Sequence, residues 1–352
     1  MRYERSYFHD AETHAGKCPA DELLEVEDAF SREVKRWAVK LATLMPYEQA
    51  EEVISDLTNV GFSDSAIWRC VQEVGQKADN HLMQQAQQRT ALPDPDQISR
   101  GIACTAAPLG ASMDGVKFNV RGEGWKEAKV ACIFNFAASG MWRDRVGGEL
   151  VEIVKASNIS YVFHLGPPES FGRLVWANAD QRGWLAARQT VVLGDGAPWI
   201  WNLAAFHFDS ATHIVDWYHA KQHLWDAAHL IYGTDSPKAA AFVERHESNL
   251  YTGHLDRIDR AIRRAVRPAT RQLLLREAAY FTDNAKHMTY SQFQKAKLPI
   301  GNGTVESGCK QFKDRFAGAG MRWSRQGAIH LMPLRAATMS KQFDQLWQVT
   351  CH

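Results

Sequence analysis

The apolar positions in the first part of the chain repeat with the period of a helix. Between Leu23 and about Lys77 they recur every three to four residues, for example at Ala50, Ile54 and Leu57. Apolar residues at this spacing line one face of an α-helix, so the pattern predicts a helical region. The stretch LPDPD follows, and because proline interrupts helices we place a domain boundary near residue 95, after an N-terminal region 1–95.

Two helices separated by a short turn are predicted inside this region. Gly61 can supply the turn, and Ser63 or Ser65 can cap the helix that follows. In a helix-turn-helix protein the second helix enters the major groove of DNA, where this one would present Arg69 and Gln72. A plain helical hairpin in a bundle has the same pattern, so both interpretations stay open.

Short β-type runs replace the helical period in the remainder of the chain, which we treat as a second domain, 96–352. They alternate with helical stretches, which predicts an α/β fold with a mixed or parallel sheet flanked by helices. After His219 the pattern is helical as far as the glycine-rich PIGNGT, so an all-helical insertion is expected at about 220–300. The β-type runs are ASMDGVKFNV, AKVACIFNF, ELVEIV, QTVVLGDG and ATHIVDW.

The composition is that of an ordinary globular protein, with 45% hydrophobic and 23% charged residues. The N-terminus MRYERSYFHD lacks the apolar stretch of a signal peptide, and no apolar run reaches membrane-spanning length, so we expect a cytoplasmic protein. The six cysteines are scattered without a C-x-x-C pair, which predicts reduced thiols rather than disulfides or a zinc knuckle.

Three acidic residues occupy comparable positions along the second domain. Asp114 and Asp195 each end an apolar run and precede a glycine, and Glu306 opens a predicted helix after GNGTV. Carboxylates brought together at strand ends repel one another unless a cation compensates them, and hard oxygen ligands suit Mg²⁺ or Mn²⁺. Two such ions support in-line phosphoryl displacement, which makes phosphodiester chemistry the expected reaction class. Aspartate–glycine pairs are also frequent turn residues, so each pair taken alone is also consistent with a loop corner.

Long blocks around these acids resemble a known family. The blocks resemble DDE transposases with an RNase H-like fold, and more closely the bacterial insertion-sequence transposases of the ISKra type, relatives of the Mutator-like group. At the N-terminus the resemblance is weaker, because relatives often carry a cysteine-bearing segment where this chain keeps only Cys18. The blocks are MDGVKFNVRGEGWKEAKV, LGDGAPWIWNLAAFHF, IVDWYHAKQHLW and GNGTVESGCKQFKDRFAGAGMRWSRQGA.

The resemblance implies both a fold and an activity. It implies an RNase H-like catalytic domain with a helical insertion, in which Asp114, Asp195 and Glu306 are catalytic and bind two Mg²⁺ or Mn²⁺ ions. The activity would be metal-dependent cleavage at the ends of an insertion sequence, followed by strand transfer into target DNA. The partners would be double-stranded DNA and further copies of the chain, as a homodimer or higher oligomer, in a bacterial, nucleoid-associated setting.

The segment DWYHAKQH places Asp216, His219 and His223 on one helical face, if the helix starts this early. Such a face can bind zinc, although no further ligand is evidently placed to complete a site. Mutator-like enzymes have an acid or cysteine, two residues and a histidine after the second catalytic aspartate. The resemblance therefore implies that Asp216 and His219 support the metal pocket, by orienting a ligand or by contacting DNA phosphate.

Basic residues concentrate in two segments of the second domain. Residues 257–276 contain seven arginines and one acid, which favours phosphate contacts over an ordinary solvated face. Basic residues after Glu306 are candidates for holding the cleaved strand, with a plain basic helix surface as the alternative. In the first segment Arg257, Arg260, Arg264, Arg267 and Arg271 follow helical spacing, broken at Pro268; the second contains Lys310, Lys313, Arg315, Arg322 and Arg325.

Two other functions remain compatible with the sequence. One is an RNase H-like nuclease that cuts DNA without joining it. The other is a catalytically inactive descendant of a transposase that retains DNA binding, although the presence of all three acids argues against this alternative.

Overall fold

The computed structural model describes residues 6–10, 12–13, 16–23, 26–27, 30–59, 61–89, 107–143, 150–301 and 303–351. The chain divides into two compact units, one formed by Met1–His81 with Ser324–His352 and the other by Leu82–Trp323. The boundary expected near residue 95 lies outside the described residues. Residues 324–352, assigned above to the catalytic domain, belong to the same unit as the N-terminal helices.

The N-terminal elements include the helix pair predicted around Gly61. The second of these helices, α4, starts where the Ser63 hydroxyl accepts a hydrogen bond of 3.3 Å from the Ala66 amide. Ala50 and Ile54 on the first are buried, whereas Leu57, near its end, is 76% exposed. The elements are β1 Phe8–His9, β2 Gly16–Lys17, α1 Pro19–Leu23, β3 Val26–Glu27, β4 Phe30–Ser31, α2 Arg32–Ala42, α3 Tyr47–Thr58 and α4 Asp64–Arg89.

A five-stranded mixed sheet forms the centre of the second unit. Each of the five predicted β-type runs lies on one of its strands, so the predicted mixed α/β architecture is confirmed. The strand order is β7-β6-β5-β8-β9, in which β5 to β7 pair antiparallel and β5, β8 and β9 pair parallel. The strands are β5 Leu109–Val120, β6 Gly124–Arg143, β7 Leu150–His164, β8 Thr190–Gly194 and β9 Thr212–Val215.

Helices cover this sheet. From Val215 to the last helix of the unit, the described residues contain helices and no strand, in agreement with the predicted all-helical insertion. None of the helices in the described part of the chain is both long and apolar enough to cross a membrane. The helices are α5 Pro168–Gln181, α6 Pro198–His207, α7 Trp217–Tyr232, α8 Pro237–Thr252, α9 Leu255–Arg264, α10 Arg271–Asp283, α11 Tyr290–Lys295 and α12 Gly303–Phe316.

The alternation of side chains along β5 separates two apolar layers. Met113, on one side, belongs to a buried cluster with Phe171 of α5 and Leu203 of α6. On the other side Phe118 packs edge-on against Phe312 of α12, with ring centroids 5.7 Å apart. Because Asp114 shares the side of Phe118, its carboxylate faces α12.

Close backbone approach brings α12 onto the sheet at Gly308. A Cβ at this position would lie 2.7 Å from Cε1 of Tyr161, a separation that real Cβ atoms do not show. Glycine therefore allows the helix to pack directly against the strands. This contact determines how far the helix carrying Glu306 stands from the strand carrying Asp114.

Two C-terminal helices, α13 Arg325–Met339 and α14 Phe343–Thr350, complete the first unit. Helix α13 packs tightly on α4 at Gly75, where a Cβ would lie 2.1 Å from the carbonyl oxygen of His330. The His330 ring also makes a 3.0 Å hydrogen bond with the Oε1 atom of Gln72. The first unit therefore draws its core from both ends of the sequence.

Candidate metal centre

Asp114 and Asp195 lie at the same level along two neighbouring parallel strands, β5 and β8. Ser112 of β5 pairs with Leu193 of β8, and each acid lies two residues further along its strand. Asp114 accepts a 2.6 Å hydrogen bond from the Gly115 amide and one of 3.4 Å from the thiol of Cys309. Burial raises the pKa of Asp114, and the negative charge of Asp195 raises it further.

The turn after β8 holds Asp195 through three contacts. Its Oδ1 atom accepts a 2.8 Å hydrogen bond from the Ala197 amide, and its carbonyl oxygen accepts one of 2.8 Å from the Tyr280 hydroxyl. Gly196 has a φ of 100° and lies against the Tyr280 ring, where a Cβ would approach Cε2 to 2.7 Å. Helix α10 of the insertion thus clamps the backbone that presents Asp195.

Asp216 caps the N-terminus of α7 and is fully buried. Its Oδ1 atom accepts a 2.8 Å hydrogen bond from the His219 amide and lies 3.1 Å from Nδ1 of the same residue. Its own amide donates to the Gly194 carbonyl over 2.8 Å. Because a side-chain oxygen of this kind satisfies free amides of the first turn, the D-x-x-H spacing serves both the helix and the histidine.

Glu306, in the exposed first turn of α12, completes a cluster with these two residues. One ligand atom from each of Asp216, His219 and Glu306 lies within 4.8 Å of the others. Burial, followed by the charges of Asp216 and Asp114, raises the pKa of Glu306. The structure therefore brings Glu306 next to the pair expected to have a supporting role, and it brings Asp114 within electrostatic range of both.

The balance of charge at this site is negative. Four carboxylates face one imidazole, whose pKa is raised to about 8, mainly by its hydrogen bond to Asp216 and also by the charges of Asp195 and Asp114. Burial is the main cause of the raised pKa values of Asp114 and Glu306, and the neighbouring carboxylates add to it. A divalent cation fits the carboxylates of this site, because carboxylate oxygens suit Mg²⁺ or Mn²⁺.

Cys309 is a neighbour of the site that the sequence analysis missed. It follows Glu306 by three residues, so helical spacing alone places both on one side of α12. Burial, together with the charge of Asp114, raises the pKa of its thiol. It therefore stays protonated and donates a hydrogen bond to Asp114.

His223 is one turn further along α7, and it does not join the cluster. Its Nδ1 atom lies 2.6 Å from Oε2 of Glu277, and its ring stacks on Tyr280 with a centroid distance of 3.6 Å. The contact with Glu277 takes His223 away from the zinc site considered above. His223 also connects α7 to Tyr280, the residue that holds the Asp195 turn. Residue spacing in the sequence gives no indication of this contact.

The five arginines of the insertion do not form one helical stripe. Helix α9 ends at Arg264, and Arg267 is extended with φ −121° and ψ 158° before Pro268 opens a single 3₁₀ turn. Arg271 begins α10. The break predicted at Pro268 is therefore present, because proline and its preceding residue disfavour helical backbone.

Arg257, Arg260 and Arg264 nevertheless share the side of α9 opposite its buried Ile258. All three are exposed, as are Arg267 and Arg271 of the following segment. Arg260 forms an ion pair with Asp256, with an N···O distance of 2.5 Å. Arg257 donates a 3.3 Å hydrogen bond to Asn249.

The basic residues after Glu306 divide into exposed and buried positions. Lys310, Lys313 and Arg322 are exposed in the second unit. Arg315 is 2% exposed, with its guanidinium 4.8 Å from the centroid of the Trp323 ring. Arg315 is thus a core residue, and the expectation that it contacts DNA is corrected.

The helix-turn-helix candidates also differ in exposure. Arg69 is exposed on α4. Arg325, which was predicted with the basic residues after Glu306, is exposed at the start of α13. Gln72 faces α13, where it bonds His330, and its Nε2 atom is buried. The expectation that Gln72 reaches into a DNA groove is corrected, because the packing of these helices already occupies its side chain.

Comparisons with known proteins add no family assignment. No protein-family model matches the sequence, and no curated protein matches it closely enough to count as a relative.

Proposed function

We propose that this protein is a DNA transposase of an insertion sequence, with an RNase H-like catalytic unit. The strand arrangement supports the proposal: three antiparallel strands are followed by two parallel ones, in the order β7-β6-β5-β8-β9. A helical insertion between β9 and the last helix of the unit agrees with the architecture that the sequence resemblance implies. A fold alone does not specify a reaction, so the residues of the metal centre must support the proposed activity.

The observation that carries the proposal is a set of four carboxylates from four elements around His219: Asp216 and Glu306 cluster with it within 4.8 Å, and Asp114 and Asp195 lie close enough to raise its pKa. Asp114 lies on β5, Asp195 follows β8, Asp216 caps α7 and Glu306 opens α12. The pKa of Asp114 is raised in part by Asp195, and that of Glu306 in part by Asp216 and Asp114. Such a concentration of acids supports a cation site of the kind used in phosphodiester chemistry.

Asp114, Asp195 and Glu306 would hold the cations, two Mg²⁺ or Mn²⁺ ions in the scheme we favour. When bound, such ions activate the attacking oxygen and stabilise the leaving oxygen of an in-line displacement. Cys309 donates to one oxygen of Asp114 and so leaves the other with only a local backbone bond. Tyr280 fixes the carbonyl of Asp195 and thereby the direction of its side chain.

His219 is better suited to the DNA phosphate than to a metal. Without bound cations the pKa of His219 is raised to about 8, so its imidazole is mostly protonated at neutral pH, and a protonated imidazole offers no lone pair to a cation. Asp216 orients the ring through Nδ1, so the charge and remaining N–H of His219 are available to a phosphate oxygen. Asp216 therefore acts as a positioning residue.

Exposed arginines and lysines supply the expected attraction for double-stranded DNA. They are Arg257, Arg260, Arg264, Arg267 and Arg271 of the insertion, and Lys310, Lys313 and Arg322 of the segment after Glu306. Contacts of this type fix the position of DNA without reading its sequence. Because two element ends must be joined, the active form we propose is at least a dimer.

A strand-joining assay tests the proposal. Purified protein is incubated with Mg²⁺, a DNA target and DNA carrying the sequences that flank its gene, and joined products are separated on a denaturing gel. We expect joining by the wild type, loss of joining in Asp195→Asn and full joining in Asp209→Asn, a matched change at an exposed aspartate outside the site. Cut but unjoined DNA would assign a nuclease, and DNA binding without metal-dependent cleavage would assign an inactive derivative.

A further inference from the structure

A large cleft adjoins the metal centre within the second unit. It has a volume of about 850 Å³ and lies between β7, the starts of α7 and α12, and helix α8. Its lining is mostly apolar and includes the rings of Trp217, Tyr218, Tyr251 and Tyr161. We call it the aromatic cleft, after these four residues.

The aromatic cleft is lined by chain neighbours of the metal centre in two segments. Trp217 and Tyr218, which line it, are the two residues between Asp216 and His219. On α12, Ser307 lines the cleft and directly follows Glu306. The cleft and the metal centre therefore share the first turns of α7 and α12, which places a ligand of the cleft within a few residues of the carboxylates.

Tyr218 presents its ring at this junction. It is 66% exposed, and its Cε2 atom would lie 3.4 Å from a Cβ at Gly301, so the ring lies beside this glycine. The deeper rings are held in place: Tyr251 donates a 2.5 Å hydrogen bond to Gln294 and packs edge-on against Trp217. The cleft thus combines a fixed aromatic wall with an accessible ring at its mouth.

The charges of the cleft are largely neutralised. Lys221 pairs with Glu247 over 2.6 Å, and both residues line the cleft. Lys155 is the other lysine in the lining, so a phosphate backbone would meet two lysines there, one of them paired, whereas a base would find aromatic faces for stacking. The volume falls in the range of small-ligand sites, roughly 300 to 1,000 Å³, which is ample for a base and its sugar.

We propose that the aromatic cleft binds an unpaired nucleotide next to the cleaved phosphate, with its base stacked on Tyr218. This inference rests on the proposed function, since it assumes that the carboxylates act on DNA. A paired base cannot enter the cleft, because its faces are covered by neighbouring bases in the duplex. The protein would accordingly prefer DNA that is single-stranded or opened at the cleavage position.

Binding of a short single strand tests this inference without any cleavage. A fluorescein-labelled oligothymidylate is titrated with the full chain in the presence of a chelator, and the dissociation constant is read from fluorescence anisotropy. A strand of the same length with abasic sugars carries the same phosphates but no bases, so it isolates the stacking contribution. Variants Tyr218→Ala and Tyr218→Phe are compared with Trp125→Ala, which removes an equally exposed ring, 68% against 66%, outside the cleft.

We expect Tyr218→Ala to weaken binding of oligothymidylate by about 5- to 150-fold, the range for loss of one stacked base. Tyr218→Phe, which keeps the ring, and Trp125→Ala should bind oligothymidylate with the affinity of the wild type. Tyr218→Ala should bind the abasic strand as tightly as the wild type does. Equal affinity of Tyr218→Ala and wild type for oligothymidylate would overturn the inference. If that variant instead changed only the oligomeric mass in solution, the cleft would be an interface with a second copy.

The two proposals fail separately. Absence of strand joining by the wild type would refute the transposase function. The anisotropy comparison would still show whether Tyr218 stacks on a base, because it does not depend on joining. Normal joining together with unchanged affinity of Tyr218→Ala would refute the nucleotide site alone.

Discussion

The turn that presents Asp195 leads to a prediction for Gly196→Ala. Gly196 has a φ of 100°, a backbone conformation that alanine rarely adopts. The new methyl group would also lie 2.7 Å from Cε2 of Tyr280, closer than real Cβ contacts. The substitution therefore combines backbone strain with a steric clash.

Gly183→Ala separates these two effects. Gly183 has a φ of 79°, so alanine is strained there as well, but no heavy atom of the described residues lies within 4 Å of the added Cβ. Strain of this kind costs about 1 to 3 kcal/mol. Overpacking adds about 1 to 3 kcal/mol, so we expect Gly196→Ala to lose about 2 to 6 kcal/mol of unfolding free energy and Gly183→Ala about 1 to 3 kcal/mol.

Urea denaturation followed by tryptophan fluorescence measures both losses. The double variant Gly196→Ala with Tyr280→Ala removes the opposing ring, so the two substitutions should be coupled, with a combined loss below the sum of the single losses by about 1 to 3 kcal/mol. Gly196→Ala should also lower strand joining, because the methyl group displaces the backbone of Asp195. Equal losses for Gly196→Ala and Gly183→Ala, or additive losses in the double variant, would refute the clash with Tyr280.

Two further predictions concern metal binding and pH. Asp114→Asn should raise the melting temperature in chelator, because it removes a carboxylate with a raised pKa. It should also diminish the rise in melting temperature that Mg²⁺ or Mn²⁺ produces in the wild type. Ions at a hundred times their dissociation constant would add about 2.7 kcal/mol to the unfolding free energy of the wild type. An undiminished metal-induced rise, measured by scanning fluorimetry, would contradict the assignment of Asp114 as a ligand. Burial lowers the pKa of His287 from 6.5 to about 4, so the unfolded chain binds the extra proton and stability falls as pH drops from 6.5 to 4. In His287→Gln the dependence of unfolding free energy on pH should decrease by up to about 1.4 kcal/mol per pH unit. Urea denaturation at several pH values measures this dependence, and an unchanged value would contradict a buried neutral His287 ring.

Much of the second unit could be predicted from the sequence because its signals are local. Each strand run alternates or is continuously apolar over a few residues, and this pattern is independent of what the strand later pairs with. The position of Asp195 followed from the same logic, since it directly follows the run TVVLG. Asp114 lies inside β5 and not at its end, and it is level with Asp195 because the two strands pair in parallel. The helical insertion was recognisable because β-type runs are lacking between His219 and the PIGNGT segment.

The partners of individual side chains were harder to predict. Arg315 was assigned to DNA, but it lies three residues after Phe312 and directly before Phe316, on the apolar side of α12. The helical period of the apolar residues therefore predicts that Arg315 is buried, whereas its charge alone predicts exposure. Gln72 and the tight contact at Gly75 depend on α13, more than two hundred residues away, and local patterns contain no information on such a contact.

The structure of the metal centre has a consequence for the synthesis of the protein. Asp114 and the thiol that donates to it, on Cys309, are 195 residues apart in the chain. At roughly 5 to 20 residues per second, a ribosome needs about 10 to 40 seconds to pass from one to the other. During that interval the nascent chain lacks Glu306 and α12, so under our proposal it cannot cleave the DNA of its own cell until α12 has been synthesised.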